Sequence, residues 1–296
     1  MKILLANVGN IRRNEIRTLA AALNENHTVT IVSMAAESSF KGQAFSYGGT
    51  PVRANPVAYV DVIKNTTADA DPRGFDGINA YEFYATPADA VSVALCQVLA
   101  HERPDLCIAG IGNGTHFAQD IFCSSNIGMA MEAAFFGVPS ICVAIPQCVG
   151  GHTAAECAPA VKFIMHNLEK FAAAKLPEHT FLNINIPAVS RYQDLKGVKI
   201  TRLGWIGNIQ PEFEEKTDSK GEKYFWAKNV LREGSGGEGT DIDAFNRGFV
   251  SVTPINCDAT DYEQLEKYHE TENSQHKKSN AAVNSFKKQE KGAVPQ

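Results

Sequence analysis

Residues 110–132 read G-I-G-N-G-T-H-F-A-Q-D-I-F-C-S-S-N-I-G-M-A-M-E, directly after the aliphatic run Leu106-Cys107-Ile108-Ala109. The order is a short apolar strand, a glycine-rich loop, and a segment over Ser124–Phe136 with the apolar spacing of a helix. Similar units lie on both sides. Lys2–Ala6 is an aliphatic strand, and Ile16, Leu19, Ala20 and Leu23 recur at helical spacing within Asn14–Asn24. Val29–Ser33 reads as a second strand. Pro87–Ala100 reads as a helix with Thr86 as N-cap and Pro87 at its first position. Pro139–Ala144 is a strand, Ala154–Ala174 a helix, and Phe181–Ile186 a strand stopped by Pro187. Strands alternating with helices predict crossover connections, and hence a three-layer, Rossmann-like α/β fold around a mostly parallel sheet.

The pattern changes after Gly197. Val198–Leu203 is strand-like, and Trp205–Asn229 places aromatic residues around a polar centre, Thr217-Asp218-Ser219-Lys220-Gly221, which predicts a long hairpin arm spanning about 204–230. Gly234–Thr240 reads as a glycine-rich loop and Phe249–Thr253 as one more strand. The expected division is an α/β domain over 1–260 and a charged tail over 261–296. In that tail Asp261–Glu270 is a helix candidate, and Thr271–Gln296 has too few apolar residues to order itself.

The 296 residues suffice for one large core, and 44% hydrophobic with 21% charged residues is ordinary globular composition. A net charge of −5 argues against a nucleic-acid partner, which would need a basic face. No run is long enough for a membrane span, and the opening Met1–Asn7 is too short an apolar stretch for a signal peptide. The seven cysteines show neither a CxxC pair nor zinc-ligand spacing, so they read as buried free thiols of a cytoplasmic protein.

In a doubly wound sheet, ligands collect at loops leaving the carboxyl ends of strands. Two such loops stand out: Asn7-Val8-Gly9-Asn10-Ile11-Arg12-Arg13, and Gly110 through His116 to Asp120 and Ser124. Glycines between strand and helix can aim backbone N–H groups at a phosphate. The spacing is G-x-G-x-G, however, not the dinucleotide G-x-G-x-x-G, and tight turns explain the glycines equally well. No organic cofactor is expected.

With these segments in view, the chain resembles the survival protein E (SurE) family of 5'/3'-nucleotidases and acid phosphatases. That family opens with N-D-D-G after a strand and later carries G-I-N-x-G-x-N-x-G-x-D-x-x-Y-S-G-T before a helix containing A-M-E. Here the corresponding stretches are M-K-I-L-L-A-N-V-G-N at 1–10 and the 110–132 segment. Four further blocks match in order: Ala85-Thr86-Pro87-Ala88-Asp89, Leu182–Pro187, Thr201–Gly204, and Gly239-Thr240-Asp241 through Gly248–Pro254. Two-domain glycosyltransferases share the opening strand and the Gly137-Val138-Pro139 turn, but the chain is short for them and its last third lacks a second strand–helix domain.

The resemblance implies a phosphomonoesterase of nucleoside monophosphates using magnesium or manganese, assembled as a homodimer or homotetramer through the hairpin and an exchanged C-terminal segment. Carried over position by position, the family's two metal aspartates fall on Val8 and Gly9, its serine on Ser39, and its asparagine on Gly112, with Asn113 one place displaced. Hard divalent ions favour carboxylate oxygens, so Ser39 and Asn113 are left as the metal candidates, with Asn7 nearby. Asp120 and Ser124 align with the family's aspartate and serine and are the catalytic candidates. Asn126 stands in place of its threonine.

Three readings follow. A rebuilt phosphatase would recruit Asp120, His116 or Glu37, although Asp120 could instead cap the next helix, and His116 and Glu37 read as a surface-loop residue and a solvated one. A non-hydrolytic binder would seat phosphate on the amides of Gly9 and Asn10 under a fork of Arg12 and Arg13, with Asn7, Ser124 and Asn126 alongside. An interaction protein would use Trp205, Phe213, Tyr224, Phe225 and Trp226 at a subunit interface.

Overall fold

The computed structural model describes residues 1–46, 49–59, 75–205, 212–227 and 236–272. An inner strand of its sheet, β1 (Lys2–Asn7), is flanked by β2 (Thr28–Met34) and by β5 (Leu106–Asn113), both parallel to it. β3 (Arg53–Val57) and β4 (Asn79–Tyr84) extend the sheet beyond β2. β6 (Ser140–Ile145), β7 (Thr180–Asn185), β11 (Val250–Asn256) and β8 (Val198–Ile200) extend it beyond β5. The full order is β3-β4-β2-β1-β5-β6-β7-β11-β8. Only β3–β4 and β7–β11 pair antiparallel. β9 (Phe213–Thr217) and β10 (Lys223–Ala227) form a separate antiparallel hairpin.

The three layers follow from alternation along the strands. Ile3 and Leu5 of β1, Leu106 and Ile108 of β5, and Ile141 and Val143 of β6 face one way. They pack against α1 (Asn14–Asn24) and α4 (Ala154–Ala172), which contribute Ile16, Leu19, Leu23, Phe163, Ile164 and Leu168. Leu4, Ala6, Cys107, Ala109 and Cys142 face the other way, against α2 (Pro87–Val93) and α3 (Ser125–Phe135). Both faces are covered, so each fully buried leucine contributes about 1.5–3 kcal/mol. Capping sets the helix starts: Thr86 with Asp89 and Thr153 with Glu156 form reciprocal capping boxes, and Ser124 Oγ accepts from the Ile127 amide.

The structure revises several sequence expectations. The Pro87–Ala100 helix stops at Val93 and finishes in a π-helical turn, Ala94–Val98. The strand expected to end at Ala109 continues to Asn113, because β6 pairs with Gly112 and Asn113 after an irregularity, so most of the glycine loop is strand. Val198–Leu203 contributes only the three residues of β8 plus a bridge from Arg202 to Thr240. Gly236–Thr240 leads into α5 (Asp241–Asn246), capped by Thr240, a helix the sequence did not suggest. All seven cysteines are free, but Cys96 and Cys123 are exposed and Cys148 and Cys257 half-buried, so only Cys107, Cys142 and Cys157 are buried thiols. Burial pushes Cys107 up to about 12.

Residues Met1–Cys257 form one compact unit and Asp258–Gln296 a second. In the second, residues 262–272 are helical and exposed; the expected mobility from Thr271 onward falls, after residue 272, outside the described residues. Among the described residues no helix is long and apolar enough to cross a membrane.

Candidate functional site

Sheet order reverses between β1 and β5: the chain runs from β1 outward through β2 and returns on the other side with β5. A crevice at the carboxyl ends of these strands is therefore where this architecture seats ligands. Residues from three loops and one helix meet there.

The β1 loop is held by amide side chains. Asn7 is buried; its Nδ2 donates to the Ile111 carbonyl at 3.0 Å and its Oδ1 accepts from the Gly9 amide at 2.8 Å. Asn126, in the first turn of α3 and 3% exposed, accepts from the Val8 amide at 3.4 Å. The Asn10 side chain accepts from the Arg12 amide at 2.9 Å and turns the chain towards α1.

The loop after β2 is tied to the start of α3. Ser125 Oγ accepts from the Lys41 amide at 2.8 Å and donates to the Ser38 carbonyl at 2.7 Å, and the Gly42 amide donates to the Cys123 carbonyl at 3.0 Å. This places Glu37 and Ser39 beside the β1 loop. Ser39 Oγ donates to Glu37 Oε1 at 2.5 Å, and Arg13 Nη2 pairs with Glu37 Oε2 at 3.0 Å. Arg12 instead points to Glu82 on β4, at 3.8 Å. The two arginines thus address different carboxylates and do not form a common fork. Glu37 is exposed, as expected, and also links Ser39 to Arg13.

The β5 segment carries two unusual positions. Gly110 has φ +138°, and a Cβ there would sit 2.2 Å from the Val143 carbonyl oxygen, so only glycine fits; the Gly110–Ile111 peptide is cis. At Gly112 the obstruction is of another kind. A Cβ would meet Asn126 Nδ2 at 2.8 Å and His116 Nε2 at 2.9 Å. His116, expected as a surface-loop residue, lies in the loop but is half-buried, with its ring turned inward. Its buried Nε2 has no hydrogen-bond partner among the described residues, and desolvation lowers the imidazole from 6.5 to about 4. Its backbone is clamped: the amide donates to Asn185 Oδ1 at 2.8 Å, and the carbonyl accepts from Asn183 Nδ2 at 2.7 Å and Asn185 Nδ2 at 3.2 Å.

Asn113 is turned away from β1. Its side chain closes a two-bond pair with the Cys148 backbone, accepting from the amide at 2.7 Å and donating to the carbonyl at 2.9 Å. Cys148 lines a cleft of about 540 Å³ shared with Pro146, His152, Glu156, Pro159 and Pro187. Asp120 sits in the turn feeding α3; its carbonyl accepts from the Cys123 and Ser124 amides at 3.1 and 3.0 Å. The cap of α3 is Ser124, not Asp120.

One pairing had no signal in the sequence. Glu15 in the first turn of α1, 2% exposed, accepts from both the amide and Nδ1 of His152, at 3.1 and 2.9 Å, while His152 Nε2 lies 2.9 Å from the Pro146 carbonyl. The residues are 137 apart in the chain and belong to no local motif. Only the short link from a polar helix start to the β6 loop reveals them.

The pattern described as "Survival protein SurE" matches residues 3–207. The chain belongs to the SurE family. It is 32% identical over 267 residues, 90% of both chains, to the protein named 5'-nucleotidase SurE of Heliobacterium modesticaldum, and 32% identical over 282 residues to that of Microcystis aeruginosa, covering 91% of this chain and 96% of the relative. The crystal structure of the SurE protein from Aquifex aeolicus superposes with a TM-score of 0.70 at 27% identity, over 92% of this chain and all of that one. The SurE fold thus accounts for the mixed sheet and the additional hairpin together. SurE proteins generally use a divalent metal. Among the described residues, no group of three or more His, Cys, Asp and Glu side chains is placed to share an ion.

Proposed function

We propose that this chain takes a nucleoside monophosphate, or a related small phosphomonoester, at the carboxyl ends of β1, β2 and β5 and acts on it as a SurE-type phosphomonoesterase. The observation that carries this reading is similarity along 90% of both chains to proteins named 5'-nucleotidase SurE, with the β1 and β5 loops brought together at the switch point. In this reading the phosphoryl group lies against the Asn10 amide and the start of α3, near Asn7, Gly9, Ser124 and Asn126. The helix dipole and oriented N–H groups favour an anion there. Asp120 handles the proton that passes from attacking water to the departing alcohol oxygen, and the products are the nucleoside and inorganic phosphate. The cleft beside Cys148 gives the nucleoside half an apolar seat. We also place the protein in the cytoplasm as a homo-oligomer, on the strength of its free thiols and of exposed Trp205, Phe213, Phe225 and Trp226 at and around the hairpin.

A second reading, binding without turnover, is favoured by one observation: the side chains at the mouth are neutral amides and hydroxyls already bonded within the protein, and Glu37 is paired with Arg13. Phosphate release from a panel of nucleoside monophosphates, with magnesium, manganese or chelator, separates the two. Turnover supports the esterase. Micromolar nucleotide affinity by calorimetry with no phosphate released supports the binder, and neither activity nor affinity would sink both.

A further inference from the structure

We infer that the imidazole of His116 occupies the room of a metal-ligating side chain, so that this cleft is closed to a divalent cation and meets phosphate directly. The inference rests on the proposed phosphate site only for its last clause.

Gly112 is the starting point. A side chain there would project between Asn126 and His116, within 3 Å of a nitrogen on each side and 3.4 Å from Ala144 Cβ. Asn126 also holds the Val8 amide, so the direction is towards the β1 loop. The room that a longer side chain at position 112 would need on this side is filled by protein. The His116 main chain is fixed at this position, its amide and carbonyl being held by Asn183 and Asn185. Among the described residues the buried Nε2 has no hydrogen-bond partner, and it is the closeness of the ring and of Asn126 to Gly112 that marks this space as filled.

The surrounding donors agree. Positions 8 and 9 are valine and glycine and offer no side-chain oxygen. Asn7 and Asn113 use both ends of their amides within the protein. Ser39 donates to Glu37, whose carboxylate is neutralised by Arg13. A hard cation gains little from neutral oxygens that must first break such bonds. This donor set does not fit magnesium or manganese, and no chemical step is assigned to either ion.

The test is a manganese titration followed by the electron paramagnetic resonance of the free ion. The wild-type chain is expected to leave Mn²⁺ free up to millimolar concentration. The V8D/G9D/G112N/H116A variant, which restores two carboxylates and vacates the ring's space, is expected to take up one equivalent at least tenfold more tightly. V8D/G9D/G112N, with the imidazole kept, is expected not to. As a control independent of the variants' folding, inorganic phosphate affinity of the wild type is measured in parallel with chelator and with Mn²⁺, and is expected to agree within twofold. Wild-type uptake of one equivalent of Mn²⁺ at sub-millimolar concentration, or phosphate affinity raised tenfold by Mn²⁺, overturns the inference. Absence of phosphate and nucleotide binding under every condition would refute the proposed function and leave the result on manganese standing.

Discussion

Two loops on the same side of the sheet each turn a histidine ring inward, His152 buried and His116 half-buried, and they do so in opposite ways. After β6, His152 has an acceptor at each ring nitrogen, Glu15 and Pro146, and its own amide also reaches Glu15. After β5, His116 has its backbone bonded and its Nε2 buried with nothing to bond. The first histidine joins α1 to the loop that starts α4, and its burial is offset by hydrogen bonds. The second fills a gap that glycine leaves. A polar ring in a protein interior can therefore be either a brace or a plug, and only its partners tell the two apart.

The sharpest way to break that contrast is at the brace. Glu15→Ala removes the acceptor of two buried donors and should cost roughly 3–5 kcal/mol, as losing one member of a buried pair does. Thermal unfolding would show a fall of ~6–20 °C for a domain of this size; a change under ~2 °C would make the pair ornamental.

The plug should appear in the pH dependence. His116 is lowered in the fold, so unfolding lets it take up a proton more readily. The stability it contributes is fully present above about pH 6.5 and is lost as pH falls towards 4, by at most ~3 kcal/mol. In His116→Asn the urea-derived stability between those pH values should flatten by most of that amount. An unchanged slope would assign the acid sensitivity elsewhere.

A double-mutant cycle tests whether Gly112 and His116 share one space. Gly112→Ala alone should cost ~1–3 kcal/mol through overpacking, and roughly half of that should vanish in a His116→Ala background, the rest remaining with Asn126. Additive losses would mean that the imidazole was not the obstacle. The smallest expected effect is at the rim, where Arg13→Ala breaks a half-exposed ion pair with Glu37 and should change stability by under ~1 kcal/mol. A larger loss in chemical denaturation would move Arg13 into the structural frame.

How much of this could be read from the chain depended on how local the signal was. β1 and α1 were legible because K-I-L-L-A-N is buried on both faces and the apolar residues of Asn14–Asn24 fall at a strict helical period. β3 and β4 were not: R-A-N-P-V is an exposed edge strand containing Pro56, and N-A-Y-E-F-Y lacks clean alternation. At the site, the meeting of the β1 and β5 loops followed from topology. The state of His116 did not, because it depends on Asn126 in another element and on clamps from Asn183 and Asn185 in β7. Arg12 and Arg13 are adjacent in sequence and still diverge, since each follows the nearest carboxylate.

The position of β11 has a consequence for biosynthesis. It lies between β7 and β8, and among the described residues β8 has no other partner in the sheet. A ribosome releases β7 well before residues 250–256, so at 5–20 residues per second the β7 edge stays open for about 3–13 s of synthesis. During that interval a growing chain carries a six-residue strand edge able to pair with a neighbouring nascent chain. Variants that weaken β11 would then be expected to lose yield through aggregation on the polysome before any loss of stability is measurable in the finished protein.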